Sequence, residues 1–358
     1  MTVDREYCMS AFLTYRTIHN PEFTFADWLL PRHFDLPSIE ERLPVRDSET
    51  LKNELRRATQ EAAKDGKAAL ALSGGIDSAI LAKFMPRGSV AYTFRCVVPG
   101  IQVTDESATA ARYAEECGLE HRIIDISWED VQRLSPALMK RRGAPIHSIE
   151  VQICKAAMQA KADGFERLIF GESADANYGG HDGLLSKDWL AGDFIERYTY
   201  VKPWKALVNP CLALDGYKPF IRDGHIDPHT FTSTFYIRES TSSYFNACDL
   251  AGCDAILPFL GTYLDAPIDY ARVRAGESKY LVREVFRSLY PDFVAPPKLP
   301  MPRATNEWFK DWKGPVRPEF LPHCTDNMTG DQKWMVYCLE MFLNLLDSGF
   351  EGVQNGVL

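Results

Sequence analysis

The sequence predicts an α/β protein built on a doubly wound parallel sheet, with an added helical region toward its C-terminus. Three observations predict it. Short apolar runs alternate with helix-like patterns from residue 46 onward. Two of those runs, AALAL (68–72) and ERLIFGE (166–172), lead into glycine-containing turns. In the second half, mostly helical patterns are joined by proline-rich loops.

Residues 1–45 mix aromatics with Pro21, Pro31, Pro37 and Pro44 and read as an irregular lead-in packed on the main body. The main domain is expected to run over 46–358. Its first helix is expected to be capped by Ser48 and ended by Gly66. A strand (68–72), a helix (77–85) and a strand (89–95) follow. TDESATAARYAEECG reads as a helix with Asp105 and Glu106 suited to its first turn. HRIIDI is the next strand, SIEVQICKAAMQAKADG a helix, and ERLIFGE the fourth strand. The stretches TFTSTFYIRESTSSYFNACDLAG, SKYLVREVFRSLY and DQKWMVYCLEMFLNLLDSG read as helices, with a cleft between them and the sheet.

Bulk properties exclude several functions. A net charge of −9 argues against a large basic nucleic-acid footprint. The N-terminus carries early acids and no apolar core, so no signal peptide is read. No apolar run approaches the ~20 residues that span a bilayer. Nine cysteines in such a chain read as reduced, buried thiols of a cytoplasmic protein. Cys248 and Cys253 lack a matching CxxC or His pair, so no zinc site is expected.

The chemistry concentrates in two turns. SGGIDS (73–78) follows the first strand and GESADANYGG (171–180) follows the fourth. Gly74 and Gly75 permit a tight turn and close approach to a ligand, and a helix start presents free N–H groups to an anion. In a 3-2-1-4-5 strand order these two turns flank one crevice at the switch point. Asp77 and Asp175 would then face it together, an oxygen donor set that suits Mg²⁺ bridging to substrate phosphates. Ser73, Ser78 and the Gly74–Gly75 backbone could hold the phosphates. A Walker A loop is absent.

At these residues the chain resembles the N-type ATP pyrophosphatases, whose loop pattern is SGGxDS, a fold of the adenine nucleotide α-hydrolase-like (HUP) type. Further segments narrow the resemblance to the synthetase domain of the asparagine synthetase and β-lactam synthetase family. DESATAARYAEECGLEH looks like that family's segment after the second strand, and GESADANYGG is similar to its GEGxDExxGG motif. PFLGTYLDAPI resembles its PFLD segment, SKYLVREVFRSLYP its K-x-x-L-R helix, and PPKLPMPRATNEWF its basic, proline-rich stretch. The resemblance covers roughly residues 46–350. Departures are informative. Family members usually begin with a glutaminase domain whose nucleophile is an N-terminal cysteine; here position 2 is Thr2 and some forty residues cannot hold that domain. Asp254, Ile256, Gly261 and Ala176 depart from the family's pattern, so aspartate cannot be assumed as the acceptor.

The resemblance implies a ligase that uses ATP and Mg²⁺. A substrate carboxylate attacks the α-phosphorus, pyrophosphate leaves, and ammonia or an amine attacks the acyl-adenylate. It implies Mg²⁺ on Asp77 and Asp175, and charge stabilisation by Lys279, a cation that otherwise sits against the dipole at a helix start. Glu172 is the expected base toward the amine, with Glu239 as the group that orients and tunes it. Adenine is expected against Leu72, Thr93, Phe94 and the strand end at 168–171, including Gly171.

Other residues read as structural first. His147 and His181 are lone histidines. KDWLAGDFIERYTYVKPWK (187–205) either shapes the acceptor pocket or is an ordinary helix with a solvated face. Lys298 and Arg303 either bind an anionic substrate group or hold the C-terminal loop. The partners expected are a small carboxylic acid and a donor of ammonia or amine, with a separate glutaminase and homo-oligomerisation left open. Competing readings are a lactam-type synthetase using the substrate's own amine, a tRNA-modifying pyrophosphatase, and a non-catalytic nucleotide-binding subunit. The tRNA-modifying reading predicts a basic surface and cysteine pairs, which are not found in the sequence; the non-catalytic reading predicts an eroded phosphate loop, whereas Ser73, Gly75, Asp77, Ser78, Asp175 and Lys279 all remain.

Overall fold

Five short strands form one parallel sheet in the computed structural model, which describes residues 1–297 and 301–354. They are β1 (Ala68–Ala71), β2 (Val90–Cys96), β3 (Glu120–Ile126), β4 (Arg167–Ile169) and β5 (Asp254–Ile256). Their order is β5-β4-β1-β2-β3, and every pairing is parallel. The chain therefore runs outward from β1 through β3, then crosses to β4 on the other side. The switch point lies between β1 and β4, as the doubly wound reading expects. β5 is only three residues long, and it pairs Ile256 with Ile169; nothing in so short a run had marked it as a strand.

Period-two burial divides the core in two, as a parallel sheet covered on both faces requires. Ala69, Ala71, Tyr92 and Leu168 face one cluster, and Ala68, Leu70, Ala91 and Ile169 face the other. The first cluster is completed by α1 (Arg5–Tyr15), α5 (Trp128–Arg142), α6 (Ile149–Ala162), α8 (Ile237–Ala251) and α10 (Gly330–Asp347). The second is completed by α2 (Ser48–Ala63), α3 (Ile76–Ala82), α4 (Ser107–Cys117) and α9 (Tyr280–Leu289). A five-residue helix, α7 (Ala174–Tyr178), follows β4. The helical C-terminal region is thus present and closes both faces.

Several local readings change. The cap of α2 is Asp47, whose carboxylate accepts the Thr50 N–H, and Ser48 is already helical. Asp105 and Glu106 precede α4 instead of lying in its first turn. α5 had no counterpart in the sequence reading, because Pro136 sits inside it and proline normally disrupts a helix interior; a Ser127–Asp130 capping box and Gly143 define its ends.

The lead-in is not irregular throughout. Cys8 to Tyr15 of α1 are all buried. Burial on every side erases the apolar–polar periodicity that marks a surface helix, so the sequence showed none. One parallel pairing, Thr2–Val3 with Phe23–Thr24, folds the segment on itself, and another, Leu43–Val45 with Thr262–Leu264, ties it to the main domain. All nine cysteines are free. Among the described residues no helix is long and apolar enough to cross a membrane.

Phe12 of α1 is fully buried. Phe12→Ala is expected to cost about 3–5 kcal/mol in urea denaturation. A loss below ~1 kcal/mol would mean that the N-terminal helix is an attachment and not part of the core.

Candidate active site

The turn after β1 is held by its own serines. Ser73 N–H donates to Ser78 Oγ at 3.0 Å, and Gly75 N–H donates to Ser73 Oγ at 3.1 Å. The two hydroxyls are themselves 3.0 Å apart. Gly75 caps α3 without a side-chain bond, and α3 carries Asp77 in its first turn.

The turn after β4 lies directly against it. A Cβ on Gly171 would sit 2.8 Å from the Ser78 nitrogen, so only glycine lets the two loops touch. Ser173 takes a left-handed conformation (φ 77°) that starts α7 and places Asp175 in its first turn. A Cβ on Gly180 would fall 2.0 Å from Asp175 Oδ1, so the family-like GG ending makes room for that carboxylate.

Lys279 joins the two loops. Its Nζ lies 2.9 and 2.7 Å from the Asp77 oxygens and 2.9 Å from Asp175 Oδ1. It is buried, and it caps α9 in a left-handed conformation (φ 52°). Burial by itself would depress the lysine's pKa, but the Asp175 and Asp77 carboxylates outweigh it and hold it above its ordinary value. These pairs explain why a cation tolerates the positive end of a helix.

Glu172 faces the same cavity. Burial raises its pKa, and a hydrogen bond from Ser240 works against that rise. Ser240 Oγ donates to Oε1 at 2.7 Å, and the Tyr244 hydroxyl bonds the same carboxylate. Ser240 and Tyr244 share one face of α8.

Burial raises the pKa of Glu239 and the Glu172 charge adds to that rise, but no hydrogen bond joins the two carboxylates among the described residues. Adjacent helical residues point about 100° apart, and Glu239 turns instead to Arg16 at 3.0 Å. That pair belongs to a buried cluster in which Arg16 also donates to the Tyr200 hydroxyl at 2.6 Å and to His147 Nε2 at 2.5 Å. Burial and Arg16 hold His147 well below its ordinary pKa, so it is a neutral acceptor.

The remaining residues divide cleanly. Leu72, Ser73, Gly75, Asp77, Ser78, Thr93, Phe94, Gly171, Glu172, Asp175 and Lys279 line one cavity. Thr93 donates to the Leu72 carbonyl at 2.6 Å and fixes the β1–β2 edge of the apolar slot. Gly74 lies behind the loop, where its N–H is bonded by Glu106. His181 packs against the Tyr236 ring, 4.6 Å between centroids. Arg303 pairs with Asp331 at 2.7 Å, and Lys298 lies outside the described residues. Within 187–205, Phe194 and Tyr198 are buried in helix Ala191–Tyr198, and none of that stretch lines this cavity.

Sequence reasoning missed Glu106, Ser240, Tyr244, Met301 and Pro302, of which all but Ser240 line the cavity. Glu106 is brought to the SGGIDS turn by the β2–α4 connection, and burial pushes its pKa up to about 7. Its one sequence signal was its place in the DES segment.

Two carboxylates that already converge on one ammonium fit a cation between them, and their all-oxygen donor set suits Mg²⁺. A switch-point crevice in which a serine–glycine loop bearing one carboxylate meets a second loop bearing another defines a nucleotide-binding α/β protein. The chain belongs to the asparagine synthase family: the family model described as Asparagine synthase matches residues 50–231, half of the chain. No curated protein matches.

Three solved structures among those that match are similar in part. The NH3-dependent NAD synthetase from Campylobacter jejuni subsp. jejuni NCTC 11168, in complex with the nitrate ion, is 19% identical with a TM-score of 0.26; the match covers 38% of this chain and 61% of that one. The U34-tRNA thiolase NcsA from Methanococcus maripaludis, with its [4Fe-4S] cluster, is 15% identical with a TM-score of 0.25, covering 70% and 83%. NMN synthetase from Francisella tularensis is 12% identical with a TM-score of 0.24, covering 71% and 100%.

Because Glu106 has a raised pKa in the fold, its neutral form is favoured there. That contribution is complete below its unfolded pKa, near 4.5, and is lost as pH rises through about 7. Glu106→Gln is therefore expected to gain stability over the wild type as pH climbs from 5 to 8. With its partial exposure discounted, the gap should reach on the order of 1–2 kcal/mol. Thermal melts across that range check it; a gap that does not change with pH would refute it.

Proposed function

We propose that the chain is an ATP-dependent, amide-forming ligase that adenylates a small carboxylic acid and passes the acyl group to ammonia or an amine, releasing pyrophosphate and then AMP. The observation that carries this reading is the convergence of Asp77, Asp175, Lys279, the SGGIDS loop and Glu172 on one cavity. Membership of the asparagine synthase family supports ATP-dependent ligase-type chemistry.

Phosphate oxygens would lie against Ser73, Gly75 and Ser78, with adenine against Leu72, Thr93 and Phe94. Asp77 and Asp175 would hold Mg²⁺, which when bound supplies neutralising charge to the triphosphate. Lys279 supplies a second positive charge between the two loops, where negative charge grows as the carboxylate attacks phosphorus. Glu172, held by Ser240 and Tyr244, takes a proton from the attacking amine. Burial raises its pKa, which makes the carboxylate a stronger base toward the amine.

The donor is ammonia, free or from a separate glutaminase, or the acceptor's own amine; acceleration by ammonium salt separates these. Residues 46–358 are taken as the catalytic domain, with 1–45 as an integral extension. Nine free thiols suit a reducing compartment such as the cytoplasm.

ATP–[³²P]pyrophosphate exchange with Mg²⁺, screened over pools of carboxylic acids, tests the reading. Exchange should depend on one acid. Asp77→Asn should abolish it, and Lys279→Met should slow it by about 10²–10³-fold. Glu172→Gln should leave exchange largely intact while amide formation falls by about 10²–10⁴-fold. Production of ADP instead of AMP would overturn the mechanism.

A further inference from the structure

A second cavity, of about 420 Å³, opens on the other side of α7. Asp175 faces the first cavity and Asn177 the second, and residues two apart on a helix point in nearly opposite directions. No residue lines both. The second cavity is walled by residues 35–39 and Arg42, by Tyr263 and Leu264, and by His229, Ser233, Thr234 and Arg238.

Two arginines face each other there. Arg42 and Arg238 both line the space, and neither forms an ion pair with a carboxylate among the described residues. Arg42 is held in place by donating from Nε to the Pro37 carbonyl at 3.0 Å. Burial, and after it the positive charge of Arg238, hold its pKa below the ordinary arginine value. Asp35 is the one carboxylate of the lining, and it pairs with neither arginine.

Beside the arginines, an apolar wall of Leu36, Pro37, Ile39 and Leu264 adjoins the hydroxyls of Ser233 and Thr234. Thr232–Tyr236 is a π-helical turn, a widened form often found at functional sites. It presents Ser233 and Thr234 to the cavity. Their hydroxyls donate to the His229 and Thr230 carbonyls at 2.8 and 2.6 Å, so their oxygens remain able to accept from a ligand. The volume is that of a small-molecule site. Two unneutralised guanidiniums match a dianion, and a phosphoryl group accepts their N–H bonds in the geometry they offer.

We propose that this cavity is a second ligand site, separate from the nucleotide cavity, that takes a small phosphorylated molecule bearing several hydroxyls. Arg42 and Arg238 hold its phosphoryl group, while Asp35, Ser233 and Thr234 accept from its hydroxyls. The site stands whether or not the ligase reading above is correct, because it shares no residue with that cavity.

Calorimetric titration of the full chain with glucose 6-phosphate, inorganic phosphate and glucose tests it. Glucose 6-phosphate is expected to bind more tightly than inorganic phosphate, and glucose not measurably. Arg42→Met and Arg238→Met should each weaken binding by about tenfold or more, while Asp77→Asn should leave it unchanged. Arg238 is exposed, so its truncation should not disturb folding; removing one of two facing like charges should raise the melting temperature of the ligand-free protein. Inorganic phosphate binding as tightly as the sugar phosphate would overturn the hydroxyl half of the proposal. No binding of either anion, binding that survives both arginine substitutions, or binding lost in Asp77→Asn would overturn the site.

Discussion

One buried ammonium holds the centre of this molecule together. Lys279 Nζ touches three carboxylate oxygens from two separate loops, and through them it joins α3, α7 and α9. Breaking a buried pair by removing one partner leaves uncompensated charge and is strongly destabilising. The lysine and the two aspartates therefore stay together until another cation or an anionic ligand rebalances them. Everything else at the switch point is arranged around that requirement. Gly171 lets the loops touch, Gly180 clears room for Asp175, and the serines close the first turn.

A second polar centre lies deeper, and it depends on the N-terminal segment. Arg16 ends α1 in a left-handed conformation and reaches His147, Tyr200 and Glu239. Glu239 and Ser240 are consecutive on α8, one bound to Arg16 and the other to Glu172. The helix is thus anchored on the side away from the cavity and presents Ser240 and Tyr244 to the carboxylate on the near side. Residues ahead of the matched family region contribute in this way to the position of a residue within it.

Much of the fold was legible in the chain. Strands β1 to β4 were readable from short apolar runs, and the turns after β1 and β4 from their glycines. The SGGIDS turn and both aspartates were readable as local motifs, because a tight turn demands particular residues at fixed offsets. The unread elements share a reason. α1 is buried on all sides, α5 contains a proline, and β5 is three residues long, so each lacks the periodicity that reading relies on. Glu239 lies close enough for its charge to couple with that of Glu172, but the helix's angular step gives the hydrogen bond to Ser240.

By itself the sequence determined the class of sheet and marked the two glycine turns that carry Asp77 and Asp175, while the resemblance to a known family pointed to Glu172 and Lys279. These are short-range facts, set by turn chemistry and by the order of motifs. Only the tertiary structure decided which groups share an environment: Lys279 between the aspartates, Ser240 on Glu172, Arg16 on Glu239, Glu106 behind Gly74, and Arg42 facing Arg238. Those residues lie tens to hundreds of positions apart, and their pKa values and charge balance come from burial and neighbours that exist only once the chain has closed on itself.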